Sequence, residues 1–204
     1  MKIAIFGGSR GVGAEAAAQA LDRGWRCRVL ARSADGVADL PGVEVVVGDA
    51  RDPEPVGRTL FGCDGVLITL GPRRGHSPDL CSHATRVIVE AMVEQQVPRV
   101  AAVTALGVGD SYARMPAAYR LLIRTLMRRL MADKEAQESI LRDSDREWII
   151  VRPGRLVDRP ASGRYRVSVD GGVSPRAVAR ADVAAFLLDQ LVSDRYLRKA
   201  PGIA

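Results

Sequence analysis

The sequence predicts an α/β fold with a doubly wound parallel sheet and helices on both faces, and three observations carry that reading. Short β-branched runs alternate along the chain with Ala- and Leu-rich stretches of helical length. The strand runs are continuously apolar instead of alternating, as strands buried on both faces are. The first of them runs directly into a glycine cluster and then a helix. Repeated βα units of this kind build a parallel sheet between two helical layers.

The elements follow in order. Strands are predicted at Lys2–Phe6, Cys27–Ala31, Val43–Val47, Gly65–Leu70, Val100–Thr104 and Trp148–Arg152. Between them the spacing predicts helices at about Val12–Arg23, Pro53–Phe61, Leu80–Gln95 and Ala117–Asp143. Pro153-Gly154 stops the last of these strands, and Arg155–Gly163 reads as loop. Tyr165–Asp170 alternates like a strand, Gly171-Gly172 turns, and Ala181–Leu191 closes as an apolar helix led by Arg180, with Asp182 in its first turn. This tail is too short for a second domain, so a single domain over 1–204 with a small C-terminal cap over the sheet end is expected.

Composition narrows the class. Of 204 residues, 47% are hydrophobic and 26% charged, which suits a soluble globular chain and excludes disorder. No apolar run approaches the roughly 18 residues of a membrane span, and the start lacks the long apolar stretch and cleavage site of a signal peptide. A cytoplasmic protein is expected. The formal charge is +6, and of 30 basic residues only Lys2, Lys134 and Lys199 are lysines. An arginine bias of this sort is weak support for nucleic-acid binding and is compatible with an anionic small ligand. A small-molecule partner is expected, and neither nucleic acid nor a membrane; the oligomeric state is left open. Cys27, Cys63 and Cys81 form no CxxC pair, and His76 and His83 no HExxH, so no metal site is expected.

The chemistry is concentrated in Gly7-Gly8-Ser9-Arg10-Gly11-Val12-Gly13. Strand before and helix after make this a dinucleotide-binding loop. Gly7 permits the turn, Gly11 lets the backbone approach a pyrophosphate, and Gly13 brings the helix close to the sheet, with the helix N-terminus facing the phosphates. Ser9, Arg10 and Val12 lie in the same loop. The second strand ends at Ala31-Arg32-Ser33, where a chain choosing NAD(H) carries an acidic residue for the ribose 2′-hydroxyl. Arg10 and Arg32, with Ser33 beside them, suit a 2′-phosphate, so NADP(H) is favoured over NAD(H). Asp49, followed by Ala50, either accepts from an adenine amino group or serves as a turn or cap residue. Leu70 and Gly71 end the fourth strand where backbone can approach a ribose. Ligands lie beyond the carboxyl ends of such strands, which makes Thr104 and Pro153 candidates on the nicotinamide side.

With these residues in view, the chain resembles an atypical short-chain dehydrogenase/reductase. More narrowly it resembles the NAD(P)H-binding family of flavin-reducing biliverdin reductase B and the NmrA-like proteins. The resemblance spans nearly the whole chain: Lys2–Gly7, Val47–Asp49, Leu70–Arg73 with Ser77-Pro78, Ile140–Ser144, Trp148–Leu156, Gly163-x-Tyr165-x-Val167 and Arg180–Ala184. It implies a Rossmann-like fold, bound NADP(H) and hydride transfer to a flat conjugated acceptor such as a flavin. The loop reads GxxxGxG, as in conventional members, where atypical ones read GxxGxxG.

The resemblance also shows what is missing. Conventional members pair Tyr-x-x-x-Lys with a Ser after the fifth strand. Here Lys134 stands in the Lys position, but Leu130 and Ala105 stand where the Tyr and Ser belong. General acid catalysis by tyrosine is therefore not expected, whereas hydride transfer to a stacked flavin needs alignment more than an acid. Lys134 is the one catalytic candidate, as a group holding the nicotinamide ribose, with an exposed helix lysine as the alternative. Arg73, Arg74 and Arg155 near the strand ends could hold a substrate anion beside Ala105. Arg120, Arg124 and Arg128 recur at helical spacing, either as an anion-binding ridge or as a solvated face. An NADPH-dependent oxidoreductase leads; a non-catalytic NADP(H)-sensing regulator comes second, and an isomerase or dehydratase of nucleotide-linked sugars last.

Overall fold

The computed structural model describes residues 1–37, 41–71, 77–170 and 173–204. Among the described residues five strands and three α-helices open the chain: β1 (Lys2–Phe6), α1 (Gly11–Asp22), β2 (Arg26–Ala31), β3 (Val43–Val47), α2 (Pro53–Leu60), β4 (Gly65–Ile68), α3 (Leu80–Glu94) and β5 (Arg99–Val103). After them come α4 (Ala117–Thr125), α5 (Arg128–Arg142), β6 (Glu147–Pro153), β7 (Arg155–Val157), β8 (Val167–Ser168), β9 (Ala177–Ala179), α6 (Arg180–Gln190) and β10 (Gly202–Ile203). The main sheet runs β3-β2-β1-β4-β5-β6-β10-β8, parallel except where β8 meets β10. Its first six strands carry the Rossmann order, with the reversal between β1 and β4 that opens a ligand crevice at the strand carboxyl ends.

Successive side chains of β1 point to opposite faces. Ile3 and Ile5 join a core under α1 and α6, while Ala4 and Phe6 join a second core under α2 and α3. Both cores are almost entirely aliphatic, which is why most of these strands read as apolar runs, interrupted in β2 and β3 by the paired Arg28 and Glu44. Among the described residues no helix is long and apolar enough to cross a membrane.

The strand and helix expectations hold through β6 with ends shifted by a residue or two, except for one helix. The stretch predicted as Ala117–Asp143 is two helices. Leu122 C=O accepts from both Leu126 N–H at 3.0 Å and Met127 N–H at 3.2 Å, which closes α4. The break has no Gly or Pro behind it. It lets Ile123 of α4 and Met131 of α5 bury in one small cluster with Val108, so tertiary packing overrides helix propensity. Arg120 and Arg124 consequently lie on α4 and Arg128 on α5, and the three share no continuous ridge.

The tail does more than cap. The stretch expected as loop after Pro153 begins with β7, which pairs with β9 beside the strand ends. The strand expected at Tyr165–Asp170 is only Val167–Ser168, and the chain end supplies the unforeseen β10 between it and β6. Helix α6 packs on the sheet beside α1 as a full layer element, with Val183, Ala184, Leu187 and Leu188 buried.

Candidate functional site

A cavity of about 820 Å³ opens at the carboxyl ends of β1 through β5. Its floor is the loop between β1 and α1, with Gly7, Ser9, Arg10, Gly11 and Val12 exposed to it. Two of the glycines there are sterically obligatory. A Cβ on Gly13 would lie 2.3 Å from Gly7 O and 2.5 Å from Thr69 Oγ1, and one on Gly7 would lie 2.9 Å from Thr69 backbone at a φ of +98°. So α1 is drawn onto the end of β4 more closely than any side chain permits. Gly11 differs: with a φ of +59°, its missing Cβ would meet only Arg180, at 3.5 Å from Nε. Helix α1 has no side-chain cap at Arg10, which leaves its first N–H groups turned toward the cavity for an anion.

At the β2–β3 end the walls are Leu30, Ala31 and Arg32 from one strand end and Gly48 through Arg51 from the next. Arg10 and Arg32 are exposed, and neither side chain makes an ion pair or hydrogen bond among the described residues, although, after Arg51, the charge of Arg32 also helps to hold the nearby Asp49 carboxyl down. Asp49 is differently placed. Arg51 donates to it from its backbone N–H (2.9 Å), Nε (3.0 Å) and Nη2 (2.8 Å). That guanidinium holds the Asp49 carboxyl down at about 2. Asp49 is thus engaged within its own turn, and the cap of α2 is Asp52, which accepts from Glu54 N–H. Ser33 also serves locally, accepting from Asp35 N–H and donating to its carboxylate at the start of a single 3-10 turn.

At the other end the cavity is bounded by Val103, Thr104 and Ala105 after β5 and by Leu130 and Lys134 from α5. Helix α5 turns four buried polar side chains toward the sheet. Asp133 accepts from Cys81 and Ser82 N–H, both at 2.9 Å, and so caps α3 from a distance. Lys134 is only 4% exposed. Its Nζ donates to Leu70 O (2.8 Å), Val103 O (3.0 Å) and Gln137 Oε1 (2.9 Å), and Gln137 in turn donates to Thr85. Glu138 accepts from Thr104 Oγ1 at 2.7 Å and from both Nε and Nη2 of buried Arg152. Arg152 also meets Asp110 at 2.8 Å. The strand ends that flank the cavity are therefore fixed by an interior polar lattice.

A third wall comes from the tail: Leu156, Asp158 and Arg180. Arg180 Nη1 and Asp158 Oδ1 are 2.8 Å apart. Counted together, the lining carries five cations (Arg10, Arg32, Arg51, Lys134, Arg180) against two carboxylates, Asp49 and Asp158. Among the described lining residues there is no Tyr, His, Cys or Glu. The cysteines lie elsewhere in the interior, and burial pushes the thiols of Cys27 and Cys63 up to about 11.

Most of the expected ligand-binding residues converge here. Gly7, Ser9, Arg10, Gly11, Val12, Arg32, Asp49, Ala50, Leu70, Gly71, Thr104, Ala105 and Lys134 all face the cavity. Gly13 lies packed beneath the loop, and Ser33 stands aside in its own turn. Pro153 is buried in β6, with its C=O accepting from Leu106 N–H, and Arg155 is exposed on β7; neither lines the cavity. Arg73 and Arg74 lie outside the described residues. Sequence reasoning missed Thr69, Arg51, Asp158 and Arg180. For Arg180 a signal existed: a cation in the first turn of a helix opposes the macrodipole.

Comparison with known proteins gives a consistent picture. Residues 7–194 match the model of a family described as NAD(P)H-binding. A curated relative, the reductase pytE of Aspergillus terreus, is 26% identical, with 93% of this chain and 91% of that one covered. Among solved structures, ChuY of Escherichia coli, described as an anaerobillin reductase, is 26% identical with a TM-score of 0.83 over 100% of this chain and 96% of that one. A short-chain dehydrogenase/reductase of Veillonella parvula in complex with NADP is 18% identical, with a TM-score of 0.82 over 100% of this chain and 94% of that one.

Proposed function

We infer that this chain, which belongs to the NAD(P)H-binding family and is an NAD(P)H-dependent oxidoreductase, uses NADPH in preference to NADH and reduces a flat conjugated acceptor of the flavin type. The observation that carries the cofactor choice is the unpaired state of Arg10 and Arg32 at the β2–β3 end, with no acidic residue ending β2. Two guanidinium groups at the place of the adenosine ribose match a 2′-phosphate.

The residues present fit the cofactor. The close packing at Gly7 and Gly13 draws α1 onto the end of β4, Gly11 keeps the loop backbone open to the cavity, and the uncapped α1 terminus would face the phosphates. When bound, the nicotinamide would supply a hydride. Leu130, Val103 and Ala105 would exclude water from that end and offer an apolar wall for a planar acceptor to stack beside. Lys134 would fix Leu70 and Val103, the two strand ends between which the nicotinamide half would lie. No lining side chain at that end is a phenol, imidazole or carboxyl among the described residues, so the proton that completes reduction of the acceptor would be taken from solvent as the reduced acceptor leaves the site. This favours acceptors that take hydride without a positioned acid over simple ketones and aldehydes.

The test is oxidation of NADPH, followed at its absorbance band, with flavins and quinones as acceptors and simple carbonyl compounds as controls. Turnover with the flat acceptors, and with NADPH over NADH, is the expected result. Firm NADPH binding without oxidation by any flavin or quinone would overturn the flavin-type assignment and favour the regulatory reading.

A further inference from the structure

We propose that Arg180 is a pyrophosphate-binding residue, and that Asp158 competes with the dinucleotide for its guanidinium. This rests on the cofactor reading above and adds a wall of the site that lies more than a hundred residues from the glycine loop in sequence. Arg180 opens α6, yet its side chain crosses to the start of α1, where the missing Cβ of Gly11 would lie 3.5 Å from its Nε. It therefore stands over the point where the loop backbone is most open and where α1 presents N–H groups without a cap. A phosphate seated on those N–H groups would lie between them and a guanidinium fork, the geometry in which charge-assisted hydrogen bonds are strongest.

The local sequence pattern argues that Arg180 is there for a ligand. A cation in the first turn of α6 opposes the helix dipole, and Ala179 supplies no side-chain cap. The fold nonetheless holds it firmly. Asp182, in the same first turn, accepts from Ser162 N–H (2.9 Å), Gly163 N–H (2.8 Å) and Ser162 Oγ (3.0 Å). On the other side the β7–β9 ladder pairs Val157 with Ala179. Asp158 lies between these two anchors, so its carboxylate is delivered to Arg180 by well-fixed backbone, while its own side chain is 89% exposed against 28% for Arg180. An exposed carboxylate is a weak partner, worth about 0.2–1 kcal/mol. It neutralises Arg180 until a more highly charged anion arrives in the cavity.

The experiment compares NADPH, NADH and 2′-AMP binding to the full chain and to R180A, R180K, D158N and the R180A/D158N double variant, by titration of cofactor fluorescence and by displacement with 2′-AMP. The probe 2′-AMP carries the 2′-phosphate and no pyrophosphate. Loss of one charge-assisted contact is expected to weaken NADPH and NADH alike in R180A, by about 10- to 150-fold. R180K falls between, and 2′-AMP affinity stays within twofold. D158N tightens NADPH and NADH by up to about fivefold, and that gain is absent from the R180A background. Wild-type NADPH affinity in R180A with a native circular dichroism spectrum would overturn the proposal, as would an equal loss of 2′-AMP binding, which would place Arg180 at the ribose phosphate. Failure of the unaltered chain to bind either dinucleotide is a different result: it removes the cofactor reading itself, and this proposal with it.

Discussion

The two ends of one cavity keep their cations in opposite ways. At one end Arg10 of the β1–α1 loop and Arg32 after β2 are exposed, and their side chains make no ion pair or hydrogen bond among the described residues. At the β5–α5 end Lys134 is buried, and its three N–H groups are donated to Leu70, Val103 and Gln137. Water solvates an exposed guanidinium at little cost, so it can wait for a ligand. A buried ammonium persists only because the acceptors around it offset its desolvation. A cation in a cavity wall is therefore not a ligand group by position alone; what counts is whether its donors are still available. On this argument Arg10 and Arg32 keep their donors available for the ligand proposed above, whereas Lys134 commits its donors to the protein.

The largest effect should come from breaking the second half of that comparison. Lys134→Met keeps the length and removes the ammonium, leaving Leu70 O, Val103 O and Gln137 Oε1 without their donor. Each buried acceptor left unsatisfied costs about 1–3 kcal/mol, so a loss of about 3 kcal/mol or more is expected. For a chain of this size that lowers Tm by about 6–12 °C. Thermal denaturation checks it. A native Tm with a selective loss of NADPH affinity would instead make Lys134 a ligand to the cofactor ribose.

Arg32→Ala tests the other half and should leave stability untouched. Losing one charge-assisted contact of roughly 1.5–3 kcal/mol weakens NADPH by about 10- to 150-fold. NADH, lacking the 2′-phosphate, should change little. Titration of both cofactors against the unaltered chain and the variant decides it. Equal affinities for NADPH and NADH in the unaltered chain would remove the basis of the specificity argument.

The same contrast explains what could be read from the sequence. The glycine loop was readable because tight turns and close helix–strand contact demand glycine at fixed spacing, as the 2.3 Å approach at Gly13 shows. The absence of an acidic residue at the end of β2 is likewise a local fact of the sequence. Lys134 was found, but its engagement was not, since Leu70 and Val103 reach it through backbone carbonyls that carry no residue signature. The division of α4 from α5 was invisible for a related reason: it is set by the joint burial of Ile123 and Met131 beside Val108. Asp158 and Arg180 come to the site through β7 and β9, strands of three residues each, too short to show a period. What sequence reasoning lost at this site was mainly long-range closure, together with the local engagement of Asp49 by Arg51.

The smallest expected effect lies at Asp49, which sits at the recognition end but is engaged like the groups at the other. Both its oxygens are taken by Arg51. The pair is more than one-third exposed, so Asp49→Asn should cost about 1 kcal/mol or less at neutral pH. The sign of its pH dependence is fixed by the direction of the shift. The carboxyl is held at about 2 in the folded chain, below the ordinary value of about 3.9 in the unfolded one. Its stabilisation is then fully present above about pH 4 and disappears as pH falls toward about 2. Urea denaturation of both chains between pH 3 and pH 7 should show a small constant gap from neutral pH down to about pH 5, narrowing below about pH 4. A gap that widens in acid, or one that exceeds about 2 kcal/mol at neutral pH, would mean that Asp49 acts through something other than its charge on Arg51. The freed Arg51 would become a third unpaired guanidinium at this end. NADPH should then bind slightly tighter to the variant, by less than about tenfold, and NADH by less still. Weaker binding of both cofactors would return Asp49 to the role of acceptor for the adenine amino group, and would show that a residue engaged by its neighbour can still recognise a ligand.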